Sequence, residues 1–497
     1  MKFNTLSLAI GCVICVFASF NTASAQNFGK LFVVDTVGDT HDAVPGDTIC
    51  ADAIGKCSLR AAIEESNVTP NTRDAIIFAL PNPSVIDLAL GELAITGKVA
   101  IVGPGARRLT IQRNFAVRTP TSRIFHLTAA ATNSIVRNLK IRNGISDING
   151  GGILVDAGAV VTVSDLWITA NQAGTGGGIA NAGNLNIVRT LIDSNQVNIF
   201  GAENKGGGVA NLTAQSILKV TNSTITANQS SISGAIDNAG SVTLINSTLA
   251  GNFASDSCST MCNRPGGTVS AINTIIGPDS QASRLNALSG AFTSLGNNIV
   301  TDARGTTGFV NGTNGDQVSD ANAINALLGS LSNNGGETDS LPLLTGSPAI
   351  DQGNSCVLRG TCSGLQVFIF TDQRSGFLRS FFNPVDIGAF EFNAAMGGSI
   401  SSFIGSISPN RPAIAGGSIR IATNATTLQK VYSVLNPFGH SNLNLQGGVW
   451  IIELRAKRAA VGMDPLVTSS EDSFPLSIAA SVINTVFRQS QPKVEIK

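Results

Sequence analysis

Residues 176–196 read GGGIANAGNLNIVRTLIDSNQ, and three similar copies lie beside them in the chain. These copies are GGGILVDAGAVVTVSDLWITANQ (150–172), GGGVANLTAQSILKVTNSTITANQ (206–229) and GAIDNAGSVTLINSTLAGNF (234–253). The asparagine near the end of each copy recurs after 24, 33 and then 24 residues, at Asn171, Asn195, Asn228 and Asn252. A repeat of roughly 20 to 50 residues is typical of a solenoid, in which each copy is one structural unit stacked on its neighbours.

The content of the copies indicates which solenoid this is. Each copy consists of short β-branched runs, such as Val160–Val163 and Val242–Ile245, separated by Gly, Asn and Ser. No helical period of 3.6 residues is sustained across a copy, which excludes the helical repeat families. Three short strands and three turns fit the length, so each copy is predicted to be one coil of an all-β parallel β-helix, about 4.8 Å above the previous coil.

Two positions recur with the period and predict stacked columns. An apolar residue stands three places before each repeated asparagine, and we expect these residues to form a column inside the coils: Ile168, Ile192, Ile225 and Leu249. The asparagines themselves are predicted to form a ladder along one turn. The pattern extends backwards to Ile111 and Asn114, and to Asn143, whose preceding Ile141 is one place out of step. Coils are therefore expected from about residue 86.

The composition excludes several classes of function. Charged residues make up 13% of the 497 residues, the net charge is zero and Gly occurs 53 times. A neutral chain has no global attraction to nucleic acid or to an anionic membrane. After residue 26 no apolar run approaches the roughly 20 residues of a membrane span, so no transmembrane span is expected in the mature chain.

The first 25 residues have the pattern of an export signal. Lys2 is followed by an apolar stretch, Leu6–Phe20, and by Ala23-Ser24-Ala25 as the cleavage site. The mature chain is predicted to begin at Gln26, which implies a secreted or surface location. Its six cysteines allow 15 pairings, and in an exported chain the local disulfides are favoured: Cys50 with Cys57, Cys258 with Cys262, and Cys356 with Cys362. The three histidines lie away from these pairs, so no zinc site is expected.

The residues around the first cysteine pair carry a family resemblance. Residues 50–67 read CADAIGKCSLRAAIEESN and resemble the bacterial CSLREA domain, with Ala61 where the family name has Glu. The resemblance implies a secreted protein of the right-handed β-helix (pectin lyase-like) class. Independently, Ser58 is a suitable cap for a short helix with one buried face, made of Leu59, Ala62, Ile63 and Ser66. Such a helix is expected to plug the first coil.

A second resemblance covers residues 327–392, which include LLGSLSNNGGETDSLPLLTGSPAIDQGN, TDQRSGFLRS and DIGAFEF. This segment is similar to the choice-of-anchor Q domain of bacterial surface and secreted proteins. Its Asp351, Asp372 and Asp386 are expected to hold turns through backbone hydrogen bonds, with a Ca²⁺ site as the alternative. No other cofactor is expected.

The predicted organisation therefore has five parts. The export signal (1–25) is followed by a CSLREA-like cap (26–85), β-helix coils (86–326) and the anchor-like closing segment (327–392). Residues 393–497 resemble no family, but their strand-like runs Ile419–Ile421 and Val449–Leu454 predict a β-rich region.

The titratable residues of the coils do not form a recognisable catalytic set. Asp165 stands one copy before Arg189 in the same position, which predicts an exposed ion pair of little energetic weight. Asp193 shares its position with two threonines. Asp156 and Asp237 belong to turn sequences, and His126 is expected on the surface. We assign no catalytic residue and no metal ligand from these patterns.

One charge feature stands out. Residues 107–142 contain eight basic residues and no acidic one. Arg113 and Arg142 each precede an asparagine of the predicted ladder, so they are expected one above the other. The candidate ligand-binding residues are Arg113, Arg137, Lys140 and Arg142, which are suited to an acidic polysaccharide or a lipid headgroup. The alternative is a set of scattered, solvated arginines.

The sequence thus favours a non-enzymatic, exported β-helix protein that presents a face for adhesion or carbohydrate binding. Its partner is expected to be a polysaccharide or a cell-surface ligand. One alternative is a polysaccharide lyase or glycoside hydrolase acting on an acidic polysaccharide, because β-helices carry such enzymes too. A further alternative is a structural passenger that displays residues 395–497.

Overall fold

The computed structural model describes residues 28–392, apart from 117–121, 198–203, 278–286, 321–323, 366 and 380–383. It also describes the backbone of three strands near the C-terminus, at 418–423, 450–456 and 483–489. The predicted export signal and most of residues 393–497 lie outside the described residues. None of the helices in the described part has the length and apolar content that crossing a bilayer requires.

The chain folds as predicted into an all-β, right-handed parallel β-helix. The strands of its described residues form four parallel sheets, three of which extend along most of the solenoid, whereas the fourth spans five coils. Sheet A contains β1 (Phe28–Val34), β2 (Arg73–Phe78), β5 (Val99–Val102), β8 (Thr132–Arg137), β12 (Val160–Ser164), β16 (Asn184–Val188), β20 (Ile217–Thr221), β24 (Ser241–Ile245), β28 (Thr268–Ile272) and β31 (Thr293–Gly296). Sheet B contains β3 (Ser84–Leu88), β6 (Leu109–Arg113), β9 (Lys140–Arg142), β13 (Trp167–Thr169), β17 (Leu191–Asp193), β21 (Thr224–Thr226), β25 (Thr248–Ala250), β29 (Ile275–Ile276), β32 (Ile299–Val300) and β34 (Gln317–Val318).

The other two sheets are shorter. Sheet C contains β4 (Leu93–Ile95), β7 (Phe125–Leu127), β11 (Ile153–Val155), β15 (Ile179–Asn181), β19 (Val209–Asn211), β23 (Ile236–Asn238), β27 (Met261–Asn263), β30 (Leu288–Ala291) and β33 (Thr306–Thr307). Sheet D contains β10 (Ile145–Asn149), β14 (Gln172–Thr175), β18 (Gln196–Val197), β22 (Gln229–Ile232) and β26 (Phe253–Ser257). Because β1 and β2 already belong to sheet A, the coils begin well before residue 86.

The predicted apolar column lies in the core. Ile168, Ile192, Ile225 and Leu249 pair in register along sheet B and are fully buried. Ile141 belongs to the same column, because it pairs with Ile168 despite its shifted spacing to Asn143. Burying each such side chain stabilises the fold by about 1.5–3 kcal/mol relative to leaving it exposed.

The predicted asparagine ladder is also present, and it is buried. The Nδ2 of Asn171 donates to Oδ1 of Asn195 at 2.9 Å, and the same bond joins Asn195 to Asn228 (2.9 Å) and Asn228 to Asn252 (3.0 Å). A second ladder, which we did not predict, follows sheet C with Nδ2 to Oδ1 distances of 2.8 Å, through Asn181, Asn211, Asn238 and Asn263. In both ladders each asparagine side chain binds the equivalent asparagine of the next coil, so these buried polar groups have hydrogen-bond partners.

The N-terminal cap matches the expectation from its sequence. Ser58 precedes helix α1 (Leu59–Val68), and its Oγ accepts a hydrogen bond from the Ala61 amide at 3.0 Å. The face made of Leu59, Ala62, Ile63 and Ser66 is buried. The Cys50–Cys57 disulfide precedes the helix, and the other two local disulfides, Cys258–Cys262 and Cys356–Cys362, are present as well.

The closing segment, residues 327–392, packs back onto the outside of the coils. Among its described residues is one short helix, α2 (Cys356–Arg359). Its Ile387 and Phe390 form a cluster with Ile275 and Ile299 of sheet B. A second cluster covers the C-terminal half of sheet A, where Ile245 and Ile272 pack with residues that include Val357, Leu358 and Ile369.

The expected turn function of the closing-segment aspartates is visible at two of them. Asp372 accepts hydrogen bonds from the amides of Arg374 and Glu391, and Asp386 accepts from those of Asp351 and Phe392. Burial, followed by the neighbouring Glu391 carboxylate, raises the pKa of Asp386 to about 7.

The C-terminal region contains the predicted strands. β35 (Ser418–Thr423), β36 (Trp450–Ala456) and β37 (Ile483–Gln489) form a separate antiparallel sheet in the order β35-β36-β37.

Candidate functional site: the tryptophan face of sheet B

A group of charged side chains surrounds Trp167 on the outside of sheet B. In β9 the core residue Ile141 separates Lys140 from Arg142, so both cationic side chains point outwards. Lys140 pairs with Trp167 of the next coil, and Arg142 pairs with Thr169. We call the outward surface formed by Arg107, Lys140, Arg142, Trp167, Asp193 and Asp339 the tryptophan face.

Trp167 lies between a cation and a carboxylate. The Nζ of Lys140 is 3.5 Å from the centroid of the Trp167 ring, which is a close cation–π contact. On the following coil, Asp193 accepts a hydrogen bond from the indole Nε1 at 2.6 Å and another from Ser194 Oγ at 2.9 Å. The sequence placed Asp193 in the column of Thr169, and the register confirms this position.

The closing segment supplies the other side of the face. Arg107, in the turn before β6, donates from Nη2 to Asp339 Oδ1 at 2.6 Å and from Nε to the Gly336 carbonyl at 3.3 Å. The Arg107 guanidinium is also 5.6 Å from the Trp167 ring centroid. From Leu191 onwards, the outward residues of sheet B that align with Trp167, such as Thr224 and Thr248, are buried. The tryptophan face therefore lies where this burial ends.

Burial and neighbouring charges shift two pKa values on this face. Burial, followed by repulsion from Arg142 and Arg107, lowers the pKa of Lys140. Burial also raises the pKa of Asp193, although the hydrogen bond from Trp167 acts in the opposite direction. Lys140 therefore loses its proton at a lower pH than an ordinary lysine does, and Asp193 loses its proton at a higher pH than an ordinary aspartate does. A ligand that brings negative charge to Lys140 would raise the pKa of this lysine back towards its ordinary value.

The four candidate ligand-binding residues are not on one surface. Arg142 lies beside Gln112 and not beside Arg113, so the expected stacking of the two arginines is wrong. Arg113 pairs with Leu88, is only 9% exposed and packs over the Phe115 ring at 4.9 Å. Arg137 lies on sheet A, between Val102 and Ser164. Lys140 and Arg142 are the two candidates that the structure brings together.

The Asp165–Arg189 pair is present, but its environment differs from the prediction. The guanidinium binds both carboxylate oxygens, at 2.9 and 2.8 Å, and both side chains are 9% exposed. The pair is therefore buried. Removing one partner would leave an uncompensated charge, so its function is structural.

A second polar cluster, which was not predicted from the sequence, surrounds His126 on sheet C. His126 lies 3.0 Å (Nδ1) from Glu92 Oε1 and 2.9 Å (Nε2) from Asp156 Oδ2, on the two neighbouring coils. Arg123 donates to the other oxygen of Glu92 at 2.6 Å. The imidazole is 22% exposed and bridges three coils instead of being solvated. The hydrogen bond to Glu92, supported by Asp156, raises the pKa of His126 against the effect of burial.

This cluster predicts a pH dependence of stability. The folded-state pKa of His126 is above its ordinary value of 6.5, so the stabilisation is complete below pH 6.5 and is lost as pH rises through the folded-state pKa. Because the cluster is partly solvated, we expect a loss of no more than about 1 kcal/mol in the free energy of unfolding. Urea unfolding between pH 6 and 9 should show this slope, and H126Q should lack it. A variant with the full wild-type slope would contradict the assignment.

One group of carboxylates in the described residues has the spacing of metal ligands. Oxygens of Asp42, Asp47 and Glu65 in the N-terminal cap lie within 4.8 Å of one another. These carboxylates already accept backbone hydrogen bonds: Glu65 from Gly46 and Thr48, and Asp42 from Val44 and Ala51. The cluster therefore accounts for the loop conformation without a cation.

Comparison with known proteins gives few relatives. No family model matches the chain, so the similarities to the CSLREA and choice-of-anchor Q domains remain resemblances. No curated protein matches it either. Three chains among the solved structures match, and one of them is the crystal structure of pectate lyase Pel9A. That match has 13% sequence identity and a TM-score of 0.42, and it covers 75% of this chain and 100% of the lyase chain.

Proposed function

We propose that this protein is an exported surface or secreted protein that binds an acidic polysaccharide at the tryptophan face, without cleaving it. The observation that carries the proposal is the position of Lys140 and Arg107 against the Trp167 ring, with Arg142 on the same outward surface as Lys140. Three cations face two carboxylates there, so the formal charge of the face is positive. The face consequently favours an anionic ligand.

The groups around Trp167 suit a sugar that bears a carboxylate or a sulfate. Lys140 and Arg142 would hold the anionic group, since their separation by one core residue puts both on the same surface. Asp339, which is only partly buried, would accept a hydrogen bond from a hydroxyl group of the sugar. An anion at Lys140 would also offset the repulsion from Arg142 and Arg107 that lowers the pKa of this lysine.

Substitution of the two cations tests the proposal. Binding of the mature chain to a uronate polymer, a sulfated polymer and a neutral glucan would be measured at low and high salt. We expect the acidic polymers to bind, with affinity falling steeply as salt increases. K140M and R142M should each weaken binding about tenfold, which corresponds to about 1.4 kcal/mol. The matched control is K219M, because Lys219 is an outward lysine on sheet A.

Two results would contradict the proposal. Equal binding of the neutral glucan and the acidic polymers would remove the argument from charge. Equal losses in K140M and K219M would show that general positive charge, and not the tryptophan face, attracts the polymer.

Cleavage of the polymer is a second candidate, because Lys140 and Asp193 contact the same Trp167 side chain and their pKa values are shifted in the directions that a base and an acid require. An uncharged lysine can remove the proton next to a sugar carboxylate, while a protonated carboxyl donates its proton to the departing glycosidic oxygen as the carbon–oxygen bond breaks. The products would carry one new unsaturated end and one new reducing end. Release of such ends by the wild type, abolished in K140M, would replace the binding proposal by a lyase.

A further inference from the structure

The outer surface of sheet A has a contiguous apolar patch over its first coils. Its outward residues pair in register from coil to coil, in two columns. The first column contains Leu31, Ala75, Ala100 and Ile135, and the second contains Val33, Ile77 and Val102. Leu31 is 44% exposed and Val33 is 40% exposed. We call these seven residues the N-terminal apolar patch.

The patch ends at the fourth coil in the second column and at the fifth coil in the first column. The first column continues from Ile135 with Thr162, Asn186, Lys219, Thr243 and Ser270. The second column changes at Arg137, which is followed by Ser164. If the whole outer surface of sheet A faced water, this change from apolar to polar residues along its columns would not be needed. The change in polarity indicates that something covers the first four coils and not the coils after them.

At the C-terminal end of sheet A, outward apolar residues are covered by another part of the chain. There Ile245 and Ile272 also point outwards, and the closing segment buries both through Val357 and Ile369. In the described part of the chain, none of the seven patch residues belongs to a buried apolar cluster. One apolar end of the surface is therefore covered by the chain itself, while the other lacks a cover among the described residues.

The chain contains a second sheet with a complementary pattern. In β35, β36 and β37 many apolar residues alternate with charged ones, as in Ile419, Arg420 and Ile421. The register places Ile421 opposite Ile452 and Ile452 opposite Phe487. One face of this sheet accordingly collects the apolar positions Ile419, Ile421, Trp450, Ile452, Leu454, Ile483 and Phe487. A three-stranded sheet needs to bury such a face in order to be stable.

We infer that the apolar face of the C-terminal sheet docks onto the N-terminal apolar patch of the same chain. Two apolar sheet faces pack about 10 Å apart as the layers of a β-sandwich. The connection is long enough, because the 25 residues from 393 to 417 span up to about 80 Å. The ten strands of sheet A cover about 43 Å at 4.8 Å per step. The C-terminal region is then the cover of the first four coils.

Cleavage of the connection tests the docking in the full chain. A specific protease site would be introduced between Gly397 and Pro412, and the cut protein would be separated by size under native conditions. We expect the C-terminal fragment to remain with the β-helix. In the double variant L31D/V33D it should dissociate, with at least a tenfold increase in the dissociation constant. The control is T162D/T243D, which adds the same charges on the polar coils of the same sheet face.

Each alternative outcome overturns the inference. Separation of the fragment in the wild type, or its retention in L31D/V33D, would show that the patch is not its docking site. Tagged and untagged copies would also be mixed before the cut. Recovery of an untagged C-terminal fragment on a tagged β-helix would show that the docking joins two chains. The melting temperature of L31D/V33D shows whether this variant is folded. A disulfide between V33C and I452C is a second test of the docking, and it does not introduce a destabilising charge.

Discussion

Replacing Asn195 with alanine is expected to lower the free energy of unfolding by about 3–4 kcal/mol, since it leaves several buried polar groups without partners. The Nδ2 of Asn195 donates to Asn228 Oδ1 and to the Ile168 carbonyl, both at 2.9 Å. Its Oδ1 accepts from the amide and from the Nδ2 of Asn171 at 3.0 and 2.9 Å. All of these groups are buried, so water does not readily replace the lost side chain.

Asn184 is a suitable control for this substitution. It lies at the exposed start of the strand β16, in the coil that contains Asn195, so N184A removes the same chemical groups from a solvated position. We expect N184A to change the free energy of unfolding by less than about 0.5 kcal/mol. Urea unfolding at neutral pH, followed by tryptophan fluorescence, measures both variants. Equal losses in the two variants would show that the ladder contributes no more than an exposed asparagine does.

Replacing Arg379 with methionine is expected to cost about 3–5 kcal/mol, because a buried carboxylate would lose its cation. Arg379 is fully buried, and its Nη1 is 3.1 Å from Glu391 Oε2. Its Nη2 also donates to Asn222 Oδ1 and to the Gly388 carbonyl, both at 2.8 Å. Asn222 belongs to the coils and Glu391 to the closing segment. The guanidinium thus joins these two parts of the molecule.

The effect should appear first in the closing segment. In R379M we expect proteases to cut residues 327–392 at least tenfold faster than in the wild type, before the coils unfold. R359M is the matched control, since Arg359 is an exposed residue of the same segment. The double variant R379M/E391Q should recover part of the stability because it no longer contains the unpaired charge. A protease rate in R379M equal to that in R359M would contradict the proposed joining function.

The repeated positions of the chain could be predicted from the sequence. Ile168 and Asn171 recur with the coil period, and a parallel stack places equivalent residues directly above one another. The same reasoning paired Asp165 with Arg189, although it missed that the pair is buried. The second ladder also had a sequence signal, because Asn181, Asn211 and Asn238 each follow the opening Ile or Val of a copy by two residues.

The candidate site depended on contacts that the period does not describe. Arg107 and Asp339 are 232 residues apart and meet only because the closing segment folds back over sheet B. The basic stretch 107–142 contains no acidic residue, yet Glu92 approaches its Arg123 from a neighbouring coil. A one-residue difference in register likewise turned Arg113 towards the interior, while Arg142 remained on the surface.

The sequence by itself determined the β-helix, its apolar column, its first asparagine ladder and its local disulfides, because each follows from near neighbours or from a repeated position. Only the tertiary structure decided which charges meet at Trp167 and His126. Those contacts join different coils and the closing segment, and their formation depends on the return path of the chain and on the register of each strand, which a linear pattern does not contain.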